Sequence, residues 1–288
     1  MRALVLGGGG QVGRAVAKAL PSGHALVIKT RAELDIADER ALARVLAEAK
    51  IDWIVNAAAY TAVDRAEEQR AQATAVNDTA VALLAAAASS AGCRLLQLST
   101  DFVFDGKSNR GYLPDDATNP LSVYGMSKLA GEQHVVGGGG SGIVVRTSWV
   151  YAAAGQNFVL TMLRLMRERE QVRVVCDQIG APTWATGLAK AIWGLIDAAP
   201  PGGVYHWTDL GIASWYDFAV AIQEEALARG LLTRAVPIVP IATAEYPTPA
   251  RRPAFSVLNT GATRALIAFP AQHWRHNLRK MLDELRTA

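Results

Sequence analysis

The opening of the chain constrains its fold more than any other stretch. Arg2–Leu6 is a short apolar run that passes directly into Gly7-Gly8-Gly9-Gly10-Gln11-Val12-Gly13, after which Arg14–Leu20 carries helical spacing. A strand, a glycine turn and a helix in immediate succession make the first half of a βαβ unit. Glycines allow a tight turn and a close backbone approach, and free N–H groups at a helix start attract phosphate. The run satisfies two registers, Gly8-x-Gly10-x-x-Gly13 and Gly7-x-x-Gly10-x-x-Gly13. A merely flexible loop would account for the glycines but not for their place at the end of a first strand. Dinucleotide binding by Gly7, Gly10 and Gly13, with Gln11 and Val12 between them, is therefore the expectation.

The same alternation continues. His24–Lys29 reads as a second strand ending in Lys29-Thr30-Arg31, with no carboxylate before Glu33. An acidic residue there would suit the ribose hydroxyls of NAD. Basic ones suit a 2′-phosphate, so Arg31 points to NADPH as the preferred cofactor with NADH possible, unless these side chains are simply solvated. A helix follows over about 38–50. Asp52–Asn56 reads as a third strand ending in Asn56-Ala57-Ala58-Ala59-Tyr60-Thr61, whose small residues leave room for a flat cofactor or else for close packing. A long alanine-rich helix spans about 71–91. Asn77 lies inside it, where asparagine is unfavourable, so its side chain is expected to bond a neighbouring loop. Cys93–Leu98 is a fourth strand, and Ser99-Thr100-Asp101-Phe102-Val103-Phe104-Asp105-Gly106 follows at its carboxyl end, where open α/β sheets bind ligands. Lys107–Pro120 should be a loop, and the glycine-rich 137–142 stretch a connector to a fifth strand at Ile143–Arg146.

Five strands alternating with helices predict an α/β fold, a Rossmann-type doubly wound parallel sheet. The second half is less regular. Helices are expected over about 158–169, 184–198, 214–230 and 271–285, strands at 172–176 and 204–207, and a proline-rich stretch at 237–253. Residues 1–148, with later strands near 171–198, are expected to form the NAD(P)-binding domain. Residues 149–288 would mainly form a smaller, interleaved α/β substrate-binding domain, with the binding cleft between the two.

Composition excludes other classes. The 288 residues are 51% hydrophobic and 19% charged, and the net charge is only +3. That balance suits an anionic small molecule and gives no basic stripe for nucleic acid. No apolar run reaches the ~18 residues of a membrane span, and Met1 leads straight into the first strand, so neither a membrane segment nor a leader is expected. Two cysteines, Cys93 and Cys176, imply no disulfide framework and are expected to be buried thiols in a cytoplasmic protein.

The chemistry centres on Tyr124-Gly125-Met126-Ser127-Lys128. Four residues apart on a helix, the phenol and the ammonium share one face, and a nearby cation lowers a phenol's pKa from its ordinary ~10. Alone, the pair also reads as a surface contact. In order with the glycine loop, Asn56–Asp64, Ser99–Gly106 and Arg146-Thr147-Ser148-Trp149-Val150-Tyr151, it resembles the extended short-chain dehydrogenase/reductase superfamily. Within it, the chain resembles the dTDP-4-dehydrorhamnose reductase family over nearly its whole length.

That resemblance implies hydride transfer from a nicotinamide to the C4 ketone of a dTDP-linked 4-dehydro-6-deoxy sugar. Tyr124 would donate the proton. Lys128 would hold the nicotinamide ribose and lower the tyrosine pKa, and Thr100 would bond the reacting oxygen. Asp35, Ile36, Ala57, Ala58, Ala59 and Tyr60 would join the cofactor contacts. Thr100, Asp101, Phe102, Val103, Trp149, Asn157 and Arg252 would meet the substrate, with Arg251 the alternative to Arg252 for its diphosphate. A 4,6-dehydratase would carry a glutamate where Phe102 follows Asp101, which favours reduction over elimination. Epimerases of the superfamily, other 4-ketoreductases and a non-catalytic regulatory subunit resembling that of methionine adenosyltransferase are the remaining alternatives. Some family members dimerise through magnesium held by acidic residues, one just after the glycine loop. Arg14-Ala15 stands there, so magnesium is doubtful, no metal is expected in the chemistry, and the chain is expected to be a monomer or a homodimer.

Overall fold

The computed structural model describes residues 1–137 and 140–287. Residues 138 and 139, part of the expected glycine connector, lie outside the described residues. Six parallel strands form the main sheet: β1 (Arg2–Leu6), β2 (Ala25–Lys29), β3 (Trp53–Asn56), β4 (Arg94–Thr100), β5 (Ile143–Thr147) and an edge strand Gly203–His206. Across the sheet they run edge strand, β5, β4, β3, β1, β2. The strand order turns between β1 and β3, which is where ligands bind in doubly wound sheets. Because every pair is parallel, all the carboxyl ends lie along one rim.

Both faces of this sheet are covered, which is why its strands read as continuous apolar runs. Ala3 and Val5 pack with Trp53, Val55 and the helix Ala185–Ala198 on one side. Leu4 and Leu6 alternate to the other side and meet Leu42 and Leu46 of the helix Glu39–Ala49, with Leu84 and Ala88 of the helix Ala80–Ala91. The helix Val123–Gly137, which carries Tyr124 and Lys128, packs against β4, β5 and the Ala80–Ala91 helix.

A second apolar cluster lies in the later half of the chain. The helices Phe158–Glu168, Trp215–Leu227 and Trp274–Thr287 pack Met162, Phe218, Leu278 and Met281 together. Three short two-stranded ribbons border them. Here the expected additions to the main sheet need correction. The strand Val172–Val175 pairs with Ile238–Ile241, not with the main sheet. Of the segment 171–198, it is the helix Ala185–Ala198 that covers the sheet, and the sixth strand comes later, at Gly203–His206. Ser214 and Asp217 do form a reciprocal capping box. Cys93 is buried as expected, but Cys176, just past a ribbon strand at the surface, is exposed. Among the described residues no helix is long and apolar enough to cross a membrane.

Candidate active site

The glycine turn is built as its sequence requires. Gly7 has φ of +77°, and a Cβ there would lie 2.6 Å from the Ala58 amide nitrogen. A Cβ on Gly13 would lie 2.3 Å from the Gly7 carbonyl oxygen, so the helix Gln11–Lys18 can start against the turn only with glycine at that position. Between this turn and the end of β3 runs a groove of about 470 Å³ lined by Gly7, Gly10, Arg31, Asp35, Ile36 and the Ala57–Tyr60 segment. Nine of the twelve expected cofactor residues outside the catalytic pair therefore face one groove; Gln11, Val12 and Gly13 support it from the helix side. Arg31 is exposed and makes no ion pair with any described residue. Glu33, two residues on, is turned to Thr30, accepting from its amide at 2.8 Å and its hydroxyl at 2.7 Å.

Asn77 couples this groove to the Tyr124/Lys128 helix. It sits in a π-turn, Ala75–Thr79, that interrupts the expected regular helix. Its Oδ1 accepts from the Tyr60 amide at 2.9 Å, and its Nδ2 donates to the Tyr60 carbonyl and the Ser127 hydroxyl, both at 3.0 Å. Ser127 in turn donates to the Tyr124 carbonyl at 2.8 Å. A residue unsuited to a helix interior is thus used to join two site elements, as π-turns often do.

Tyr124, Lys128, Thr100 and Asp101 meet at the rim of β4. The buried Lys128 Nζ donates to the Leu98 carbonyl at 2.7 Å. Phe102 packs edge-on to the Tyr124 ring, with centroids 5.7 Å apart. The Thr100 hydroxyl donates to Asp101 Oδ1 at 3.1 Å and accepts from the Phe102 amide at 3.2 Å. Val103 is fully buried beneath them among Phe104, Tyr112 and Leu258, so it shapes the rim from behind. Three buried oxygens at the carboxyl ends of β4 and β5 have no partner among the described residues: Ser99 Oγ, Asp101 Oδ2 and Thr147 Oγ1. Buried polar atoms are normally paired, so this rim retains capacity to bond a polar ligand.

The electrostatics differ from the expectation that Lys128 depresses the tyrosine pKa. Desolvation pushes the Tyr124 phenol up to about 12; the Thr100 hydroxyl opposes this and the Asp101 charge adds to it. Lys128 is pushed down to about 8 by burial, against the pull of Glu132. Asp101 rises to about 6 because it is buried, tempered by the nearby hydroxyls of Ser256 and Thr100. Ser256 approaches this carboxylate without meeting hydrogen-bond geometry at Oδ2. In this arrangement desolvation of the phenol, with the Asp101 charge, sets the direction of its shift.

Three expected substrate residues are already engaged. Trp149, in the left-handed region at φ +47°, stacks on Trp215 with ring centroids 3.4 Å apart. A Cβ on Gly180 would lie 2.6 Å from its Cε2, so the Gly180 backbone closes against the indole as well. Asn157 caps the Phe158–Glu168 helix through its Oδ1, and its Nδ2 donates to Gln11 Oε1 at 2.9 Å and to the Ala152 carbonyl at 2.8 Å. Arg252 makes two contacts to Asp64, at 3.0 and 2.8 Å, tying the 248–252 loop to the segment that follows Thr61. Arg251 is exposed and has no ion-pair partner among the described residues. No cluster of three His, Cys, Asp or Glu suited to a metal occurs among the described residues.

The model of the RmlD substrate binding domain matches residues 1–287. The chain belongs to that family. A dTDP-4-dehydrorhamnose reductase of Burkholderia thailandensis is 45% identical over 286 residues, covering 96% of each chain. Among solved structures, a dTDP-4-dehydrorhamnose reductase of Clostridium acetobutylicum superposes with a TM-score of 0.92 at 37% identity, covering 99% of this chain and 100% of the other. That of Bacillus anthracis, in complex with NADP, gives 0.91 at 33%, covering 98% and 99%. In this RmlD-family chain the structure also adds residues that sequence reasoning did not assign: Glu132, Trp215 and Ser256. Glu132 lies one turn beyond Lys128 and that spacing was available as a signal. Trp215 and Ser256 come from distant segments and had none.

Proposed function

We propose that this chain is a cytoplasmic, NADPH-dependent reductase of dTDP-4-dehydro-6-deoxy-L-mannose, the 4-keto form of dTDP-L-rhamnose, and that it yields dTDP-L-rhamnose. The observation that carries this reading is the meeting of Tyr124, Lys128 and Thr100 at the rim of β4, beside a glycine-turn groove, in a chain 45% identical to a named reductase. Residues 1–148, together with the helix Ala185–Ala198 and the strand Gly203–His206, are taken as the cofactor-binding unit, and most of 149–288 as the substrate-binding unit.

Gly7, Gly10 and the helix start at Gln11 would hold the pyrophosphate, Ala57–Tyr60 would border the flat part of the cofactor, and Arg31 would pair with the 2′-phosphate. When bound, the nicotinamide would supply the hydride for the ketone carbon, leaving the C–O π pair on oxygen. Tyr124 gives its phenolic proton to that oxygen. A phenol held near pKa 12 is fully protonated at neutral pH and ready to donate to the far more basic alkoxide. Lys128 offers an ammonium to the ribose hydroxyls and to the phenolate left behind. Thr100 donates to the reacting oxygen, a contact that strengthens as charge develops. Phe102 fills the position where elimination would need a carboxylate.

The test is a spectrophotometric assay of NADPH and NADH oxidation across nucleotide-linked 4-keto sugars. dTDP-4-dehydro-L-rhamnose should be reduced, with Tyr124→Phe losing at least ~10²-fold in kcat; normal turnover in that variant would remove the assigned donor. Arg31→Ala should raise KM for NADPH more than for NADH, and equal effects would refute the 2′-phosphate contact.

A further inference from the structure

One buried ion pair beneath the site has no part in the chemistry derived above. Glu132 and Arg146 are 2% and 3% exposed. Arg146 Nε donates to both Glu132 oxygens, at 2.9 and 3.1 Å, and its Nη2 donates to Oε2 at 2.6 Å. The same guanidinium donates to the Pro114 carbonyl and lies 5.0 Å from the Phe104 ring centroid. Replacing such a pair by apolar residues often costs nothing in stability, so stability alone gives no reason for it.

We propose that Glu132 is a positioning residue for Lys128: its carboxylate, fixed by Arg146, keeps the buried ammonium charged. This rests on the role of Lys128 given under the proposed function. Glu132 follows Lys128 by four residues on the Val123–Gly137 helix, so both side chains lie on one face. Lys128 is 4% exposed, and among the described residues its side chain makes one hydrogen bond, to a neutral carbonyl. An ammonium so placed tends to shed its proton. Glu132 forms no direct ion pair with it and so leaves Nζ free to meet the ribose. Burial is the larger influence on Lys128 and Glu132 is the charge that opposes it.

The other charged or titratable groups around this helix are accounted for. Tyr124 shares the face, and Asp101 lies at the β4 rim and acts on Tyr124. His206 contacts Arg146 and stays neutral, its pKa pushed down to about 3 by burial and by that guanidinium. Asp78 pairs with His134 on a more exposed side, and Glu67 accepts from the Val123 amide at the helix start.

The experiment compares NADPH turnover from pH 6 to pH 10 in the wild-type protein, in Glu132→Gln/Arg146→Met, and in Glu132→Asp. The double variant leaves no unpaired buried charge. Its alkaline limb should move down by about one pH unit, so that the ratio of turnover at pH 9 to that at pH 6 falls about tenfold. Glu132→Asp keeps both charges and should keep the wild-type limb even if it melts earlier; it serves where the double variant does not fold. An unmoved limb in a folded double variant, or a shift of one pH unit in Glu132→Asp, would overturn the proposal and leave the pair a structural one. Lys128→Arg, which does not titrate in this range, should lose the limb, and its retention would also overturn the proposal. A wild-type protein without turnover at any pH would instead refute the proposed activity. The limb would then be read in NADPH affinity.

Discussion

Two arginine–carboxylate pairs flank the candidate site and behave in opposite ways. Arg146–Glu132 joins β5 to the Tyr124/Lys128 helix, with side chains 4% and 2% exposed. Arg252–Asp64 lies where the 248–252 loop meets the segment after Thr61, with side chains 24% and 40% exposed. Both are multidentate and of similar length. Their burial decides what each can do. A buried pair cannot open without stranding a charge, whereas a water-accessible pair exchanges partners at little cost. The first is suited to fixing geometry and the second to exchanging its partner.

The largest expected difference comes from removing one partner of each. Glu132→Gln should cost about 3–5 kcal/mol, because it leaves the Arg146 guanidinium buried and uncompensated; a urea midpoint close to wild type would place water around that pair and erase the contrast. Arg252→Ala should cost at most about 1 kcal/mol of stability. It should raise KM for the nucleotide sugar about tenfold, equivalent to about 1.4 kcal/mol of binding, and leave kcat almost unchanged. An unaffected KM would move the diphosphate contact to Arg251.

The smallest effect concerns acid. Asp64 is held below the usual carboxylate range chiefly by its hydrogen bond with Arg252, with burial opposing. A depressed folded-state pKa gives stability that is present above the unfolded value and lost as pH falls through the folded one. The Asp64 contribution is therefore constant from pH 5 to pH 9 and disappears only below about pH 4. Being partly exposed it should also shrink in 1 M salt, while the buried pair is screened much less. Thermal midpoints of wild type and Asp64→Asn, compared at pH 3 and pH 7 and at both salt levels, test this.

The same contrast between enclosed and open regions explains what could be read from the sequence. β1 is buried on both faces, so Arg2–Leu6 was legible to the residue as an apolar run. The glycine turn, the fifth strand and the Tyr124/Lys128 helix were legible for like reasons, each set by local chemistry. The ribbons around Trp149 were not: Val150–Tyr151, Ile179–Gly180 and Thr183–Trp184 have two residues each, too few for any periodicity. Ile238–Ile241 was hidden by its own Pro240, tolerated because this strand has a neighbour only at Val172–Val175. At the site, Arg252 and Asn157 carried the right chemistry on paper, but their partners Asp64 and Gln11 stand 188 and 146 residues away. No local pattern reports such meetings. The Tyr124 phenol is pushed above its ordinary pKa by desolvation, which spacing does not report; spacing supplies only the neighbouring cation.

The π-turn at Ala75–Thr79 has a consequence for how this chain tolerates editing. A helix advances about 100° per residue, and a π-turn takes up one residue more than a regular turn would. Because the wide turn absorbs that residue, the helix on either side keeps its phase; deleting one residue there would restore a regular turn, leave Leu84 and Ala88 packed beneath the sheet, and withdraw the bulged backbone that carries Asn77. The Asn77 amide would then leave Tyr60 and Ser127. The irregular turn lets one residue be spent on a bridge between the Tyr60 segment and the Tyr124/Lys128 helix, and a more uniform helix would keep its packing and lose that bridge.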